Sequence, residues 1–555
     1  MHVRRPPRPR LSLAGALRLG RPPEIWFKPA LSVVAAVAPP NLLLLALGRL
    51  DLAMYTMAGS LCALYAHNRP YAARARTLAR VILGMVGGLA VALVTASLTT
   101  SAAVLVTVGA ALAAVQKALC DAARVGPPGN VVLTFITSAA LFAPQSLGQV
   151  PGHLAMAVAA GAWAWLVGMA PGLLRPHGPE RRATAQALTA AAAHAAASRT
   201  GAASHGTRAA AAATIQAAWQ TLLATGDRSA RTRRALERLL VRAEVALAAP
   251  ADTDPERLNA WARELRGNGP LPRVHDLPGE ADELLGADTE HAVPARPLHR
   301  RLAPLRSVAA RCFIGCALAG HASLALGVGR PYWALVTAAS LYQANLTLIW
   351  NRAVQRVVGN LLGVLVFAAV VPLAHLHQAL FVLLCLAFNF GAEALIGRNY
   401  WLGSVCVTPM AMLITEFARF QDSGELITER IVDTLVGALL GFAAALAVTD
   451  RRAGDRLERG LTVAEQARER TARLLAAPHA APTALETARR ALAAALVELR
   501  ATADAAAGEW WQRALPQDRV VLAEQAGHRT LAATVRRQGL VLDRDADTEA
   551  EDVRP

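Results

Sequence analysis

Apolar residues in this chain fall in long unbroken runs, not at the three-to-four-residue spacing of a helix with one buried face. A bilayer core of about 30 Å takes around 20 helical residues to cross. The runs predict spans near 30–48, 51–66, 78–96, 101–115, 130–144 and 153–174, then 308–327, 331–350, 355–373, 377–396, 399–416 and 429–449. Pro39–Pro40 predicts a kink in the first. The expected fold is therefore all-α: a polytopic membrane protein of two parallel repeats of about six transmembrane helices, each followed by a cytoplasmic helical region. The polar material reads differently. RRALERLLVRAEVALA and LETARRALAAALVELRATA place Leu at helical spacing among Arg and Glu, as in amphipathic hairpins. Expected domains are a basic N-terminus (1–29), a first bundle (30–175), a helical region and linker (176–304), a second bundle (305–450), a helical region (451–542) and an acidic disordered tail (543–555).

Charge predicts orientation. Arg4, Arg5, Arg8, Arg10, Arg18, Arg21 and Lys28 precede the first span; Arg69, Arg74, Arg76 and Arg80 follow the second, and Lys117 and Arg124 the fourth. The alternate loops hold only Arg49. By the positive-inside rule both termini and both polar regions are cytoplasmic, in an inner (plasma) membrane. The second half is less clean, because Arg419 and Arg430 read as external, beside Glu416, Asp422, Glu425 and Glu429.

A shift of 276 residues carries Arg76 onto Arg352, Arg80 onto Arg356, Gly87 onto Gly363 and Gly161 onto Gly437. With six spans per half, this predicts a parallel duplication, an arrangement used by transporters. Arg352, Arg356, Gly359 and Gly363 form one helical stripe, charged at its cytoplasmic end and bare further in. Gly359 and Gly363 predict close helix packing, as do Gly84 and Gly88 in the first half, and Gly437. The arginines either anchor helix ends to lipid phosphate or face the bundle axis and hold an anion, which guanidinium suits through its paired donors.

The net charge of +17 does not indicate nucleic acid, since the basic residues edge apolar runs and form no stripe with stacking aromatics. Lys28 precedes Pro29 and Lys117 precedes Ala118, so no phosphate-binding loop of the ATPase type is present. The cysteines lie in or near apolar segments and read as small buried hydrophobes. No metal-ligand spacing or catalytic constellation stands out, so neither a cofactor nor an enzyme is expected.

The segment RPYWALVTAASLYQ…NRAVQRVVGNLLG, with RNYWLGSVCVTPMAML (398–413) and ERIVDTLVGALLG (429–441), resembles the fusaric-acid-resistance-like family. That family includes bacterial aromatic carboxylic acid exporters and is related to plant anion channels. Asn360 stands where it commonly has Thr. The resemblance implies export of small organic anions, aromatic carboxylates foremost; without an ATPase-type loop, the proton or voltage gradient is the expected drive. Arg76, Arg80, Arg352 and Arg356 are then candidate substrate ligands. Tyr332 and Trp333 read as interfacial aromatics or as a stacking surface for the substrate. His321 and Asp433 lie inside spans and are candidates to carry a coupling proton, unless Asp433 simply pairs with Arg430. A passive anion channel, and a membrane scaffold whose cytoplasmic helices recruit a protein partner, are the alternatives; homo-oligomerisation stays open.

Overall fold

The structure, a computed structural model, describes residues 12–538 apart from 21, 23, 202–204, 225–230, 268, 273–300, 303–304, 418–420, 449–452 and 510–515. The expected linker beyond Pro272, the acidic tail, Arg4, Arg5, Arg8, Arg10, Arg21 and Arg419 lie outside the described residues. Within them every regular element is a helix. After a short α1 (Leu13–Leu17) come α2 (Phe27–Ala46), α3 (Ala53–Ser60), α4 (Tyr71–Leu98), α5 (Ala102–Ala122), α6 (Val131–Leu141) and α7 (Val150–Met169). A turn of helix, α8 (Pro171–Leu174), leads into the polar α9 (Gly178–Arg199), α10 (His205–Leu223), α11 (Arg231–Ala248) and α12 (Pro255–Arg266). The second half holds α13 (Arg306–Ala325), α14 (Tyr332–Leu341), α15 (Leu346–Ala374), α16 (Gln378–Ile396), α17 (Tyr400–Glu416) and α18 (Ser423–Ala447). The polar α19 (Ala453–Ala476), α20 (Pro482–Ala507) and α21 (Gln517–Arg537) follow.

Twelve spans were expected, several of them short, and eight described helices are long and apolar enough to cross a bilayer: α2, α4, α5, the α7 region, α13, α15, α16 and α18. The other four are shorter, α14 having 10 residues and α17 having 17. The difference is one of helix breaks, which hydrophobicity does not mark. The run 331–350 carries no charge, yet the chain turns extended at Tyr342, and the Asn345 side chain accepts from the Leu348 amide to start a new helix. Likewise α18 begins at Ser423, six residues before the expected 429, because Asp422 caps it by accepting from the Glu425 amide.

Packing follows one pattern in both halves. The pairs α3–α7, α4–α6 and α4–α7 recur as α14–α18, α15–α17 and α15–α18. Between halves the contacts are reciprocal: α2 lies on α16, and α13 lies on α5. Large apolar residues such as Leu83, Leu166, Leu365 and Leu439 stay exposed on the bundle, where only lipid tails cover them without cost.

The two polar regions, far apart in sequence, fold into one helical head. Leu239, Trp219 and Leu258 of the first region share a core with Val535 of α21. A buried ionic network joins them further. Arg489 bridges Glu244 (2.6 Å) and Glu486 (2.7 Å), Arg490 bonds Glu486 (2.6 Å), and Trp219 Nε1 donates to Glu244 (2.8 Å). The Arg490 guanidinium lies 3.8 Å from the Trp219 ring centre. The head meets the bundle at the start of α15, where the Gly508 carbonyl accepts from both the amide (3.1 Å) and the hydroxyl (3.0 Å) of Thr347.

Burial alone would raise the Glu486 carboxyl, but Arg489 and Arg490 outweigh it and draw it down to about 2. A carboxyl lowered in the folded state contributes stability that is complete above its unfolded value of 4.5 and fades as pH falls toward about 2. Glu486→Gln leaves both arginines under-compensated and should cost the head about 3–5 kcal/mol, read by thermal unfolding at pH 7. The gap between wild type and variant should then narrow as the measurement moves below pH 4; a gap that does not change with pH would contradict this account.

Candidate functional site

The site grows from the glycine face of α15. A methyl group on Gly359 would come within 2.5 Å of the Ser404 Cβ, and one on Gly363 within 2.6 Å of the Thr408 Cβ. Only glycine lets α17 lie this close. That approach brings Tyr400, the first residue of α17, against the arginines one and two turns earlier on α15. The Arg352 guanidinium stacks 3.8 Å from the Tyr400 ring centre. Arg356, only 3% exposed, donates from Nη1 to the Tyr400 hydroxyl (3.1 Å), and its Nε has no partner. A turn deeper, Asn360 ties three helices: it accepts from Thr408 (2.7 Å) and donates to Thr434 (2.9 Å).

Thr434 lies one turn after Arg430 on α18. Arg430 is 1% exposed, its Nε and Nη1 have no partner, and among the described residues no carboxylate forms an ion pair with it. It sits over the Trp333 ring, 5.0 Å from the centre. The expected Arg430–Asp433 pair is absent. Asp433, fully buried, instead accepts from the Ser323 hydroxyl (2.6 Å), and its second oxygen is unpartnered. At the end of the bundle away from the head, Arg330 pairs with Glu429 and Gln421, while Glu429 also accepts from the Gly329 amide (3.0 Å). The second half is thus threaded by a column of polar groups in which, among the described residues, Arg330 is ion-paired, to Glu429, while Arg352, Arg356 and Arg430 form no ion pair.

Other sequence candidates fall elsewhere. Tyr332 and Trp333 are 5% and 0% exposed, inside the bundle rather than at a lipid interface, and the Trp333 Nε1 is unpartnered. His321 is exposed and bonds Thr107 of α5 (3.2 Å), so nothing brings it to Asp433. In the first half the buried face of α4 runs through Arg74, Thr77, Val81, Met85 and Gly88. Arg76 and Arg80 fall on the opposite, exposed face and do not meet Arg352 or Arg356. Arg74 is the buried arginine there and bonds His67 (3.1 Å). Gly88 abuts Gln116 and Thr137, Gly437 abuts Ala334 and Thr337, and Gly84 meets only Leu133 at 3.9 Å.

The head-side mouth of the column is covered by the N-terminal strap. Gln355, Asn399 and Trp401 donate to the Ala16, Arg18 and Leu17 carbonyls at 2.8–3.1 Å, and the Gly20 amide donates to Arg398 (2.8 Å). Among the described residues, no group of three or more His, Cys, Asp or Glu residues is placed to hold a metal ion.

Arg430 is the candidate that the apolar pattern undervalued, because a span starting at 429 set it at the external edge, whereas the helix starts at Ser423. The signal was present: Asp422-x-x-Glu425 is a capping pattern that opens the helix before Arg430 and so carries it inside.

Fold and site together define a polytopic helical membrane protein with a cationic column inside its second half. Residues 316–444, which include Arg352, Arg356 and Arg430, match the family described as fusaric acid resistance protein-like. The chain is also similar to the uncharacterized membrane protein YvaC of Bacillus subtilis (strain 168), at 29% identity over 138 residues. That match covers 24% of this chain and 22% of YvaC, so about a fifth of the relative is spanned. No solved structure matches.

A buried cation without a counter-charge weakens the empty protein. Arg430→Met, close in volume and apolar, should therefore raise the thermal stability of the ligand-free protein, by about 1–4 kcal/mol. A destabilised Met variant would mean that the guanidinium is already satisfied.

Proposed function

We propose that this membrane protein moves small organic anions out of the cell through the second-half column. The observation that carries the proposal is the burial of Arg356 and Arg430 with donors unpartnered and no ion-paired carboxylate. Ionisable groups inside a membrane bundle are costly and mark pathways for charged substrates. Because α15 begins and α18 ends at the head, the two helices run in opposite directions. Arg356 and Arg430 then lie one turn to either side of the Asn360–Thr434 bond, about 12 Å apart along the axis. An anion entering past Arg352 is held first at Arg356 and next at Arg430, with the Asn360 clamp between the two stations. Tyr400, Trp333 and Tyr332 give each station an aromatic wall, and with the family's description this favours aromatic carboxylates as cargo.

In this reading the head and both termini are cytoplasmic and the membrane is the inner one, so the head-side mouth is the entrance. One negative charge moving outward across the membrane gains about 2.3 kcal/mol per 100 mV, which suffices to drive export without an ATPase. We read the shared offset and the reciprocal packing of the halves as a parallel duplication in which the second copy kept the anion path. No enzymatic role is proposed.

Proteoliposomes given an imposed voltage and labelled benzoate test this. Benzoate should accumulate on the positive side. Losing a charge-assisted contact worth about 1.5–3 kcal/mol should make Arg356→Ala slower by roughly ten- to a hundredfold. Flux that only dissipates a benzoate gradient, whatever the voltage, would make the protein a passive channel for neutral acid. An unchanged rate in Arg356→Ala would remove the column from the path.

A further inference from the structure

The head contains a groove of about 420 Å³ between α10, α20 and α21. Its origin lies in the sequence. The α10 run Arg208–Ala213 is RAAAAA, so this stretch offers only methyl groups to α20, and the space between the helices is left unfilled. Further along α10, Ile215 and Trp219 are large and close the gap.

The lining has a definite chemistry. Ala212, Leu496 and Val497 give it apolar surface, and Arg208, Arg500, Asp504 and Glu524 line it with charge. Arg500 is committed to Asp504 (2.9 Å) and Glu524 (3.6 Å). Arg208 is half-buried and has no hydrogen-bond or ion-pair partner among the described residues. With both carboxylates held by Arg500, the groove offers one uncommitted cation beside apolar surface, in a volume typical of small-molecule sites. A nucleotide or polyphosphate would need several free cations.

One wall of the groove leads to the membrane site. Asp504 lines it near the end of α20, and one turn later the Gly508 carbonyl takes both Thr347 bonds at the first turn of α15. Beside it, Glu509 faces Arg311 of α13 at 3.8 Å. Gly508 has no slack, since a Cβ there would overlap the Asn345 side chain that caps α15. Any movement of α20 is thus passed to the helix that carries Arg352 and Arg356.

The geometry points to a second ligand site in this groove, for a small organic monoanion with an apolar body, whose occupancy is transmitted through α20 to the start of α15. This goes beyond the transport reading and does not depend on it, because binding in the head can be measured without flux.

The test uses the full chain carrying Arg356→Ala and Arg430→Ala, so that the membrane stations do not contribute. Benzoate is titrated calorimetrically, with benzyl alcohol as the neutral counterpart, and hydrogen exchange is followed at residues 346–351. Saturable benzoate binding is expected, at least tenfold tighter than benzyl alcohol and weakened at least tenfold by adding Arg208→Ala, together with altered exchange at the start of α15. Arg208→Ala removes a half-buried side chain without a partner, so it should leave the fold intact. The proposal is overturned if benzoate does not bind, if Arg208→Ala leaves its affinity unchanged, or if binding leaves residues 346–351 unaffected. Voltage-driven flux in the otherwise unsubstituted protein is a separate measurement, so failure of the head site and failure of the transport reading are distinguishable.

Discussion

A guanidinium group buried in a membrane bundle carries a charge that is costly there unless something meets it. In this protein the bundle does not meet it. The Asp433 carboxylate turns to Ser323, Glu429 is taken by Arg330, and Arg356 and Arg430 face aromatic rings and vacant hydrogen-bonding directions. Aromatic faces ease the cost of the charge but do not cancel it. The rest of the site is arranged around that deficit. Glycines 359 and 363 let α17 approach, α17 brings Tyr400, and Asn360 sets the spacing between the two cationic stations.

The surroundings of the column differ at its two ends. Away from the head, Arg330 is bound to Glu429 and Gln421 and stacks on the Trp333 that also backs Arg430. On the head side the cover is main chain: three side chains from α15, α17 and the turn before it hold carbonyls of the N-terminal strap. One cover is a charged pair and the other a set of neutral hydrogen bonds.

Much of this was legible in the amino-acid sequence, and the limits have physical reasons. Unbroken apolar runs reveal membrane helices because lipid demands them, and the Leu spacing of the polar regions reveals the head. Helix breaks inside apolar stretches were not legible from hydropathy. Asn345 marks one by capping, and Asp422 caps α18 six residues ahead of the expected start, which had left Arg430 at the edge of its span. The 276-residue shift matched Arg76 and Arg80 to Arg352 and Arg356, but a shared offset does not fix which way a side chain faces. The buried face of α4 is rotated to Arg74, and the first-half counterparts point outward. The reciprocal docking of α2 on α16 and α13 on α5 is long-range and has no local signature.

The central claim is that the uncompensated guanidiniums of the second half are where the transported anion sits. Locating a heavy-atom anion in the protein tests it most directly: a structure solved with 4-bromobenzoate, read by the anomalous signal of bromine. The account predicts a bromine peak enclosed by α14, α15 and α18, with the carboxylate in hydrogen-bonding range of Arg356 or Arg430. Signal confined to exposed arginines such as Arg76 and Arg80, with the column empty at saturating concentration, would contradict it.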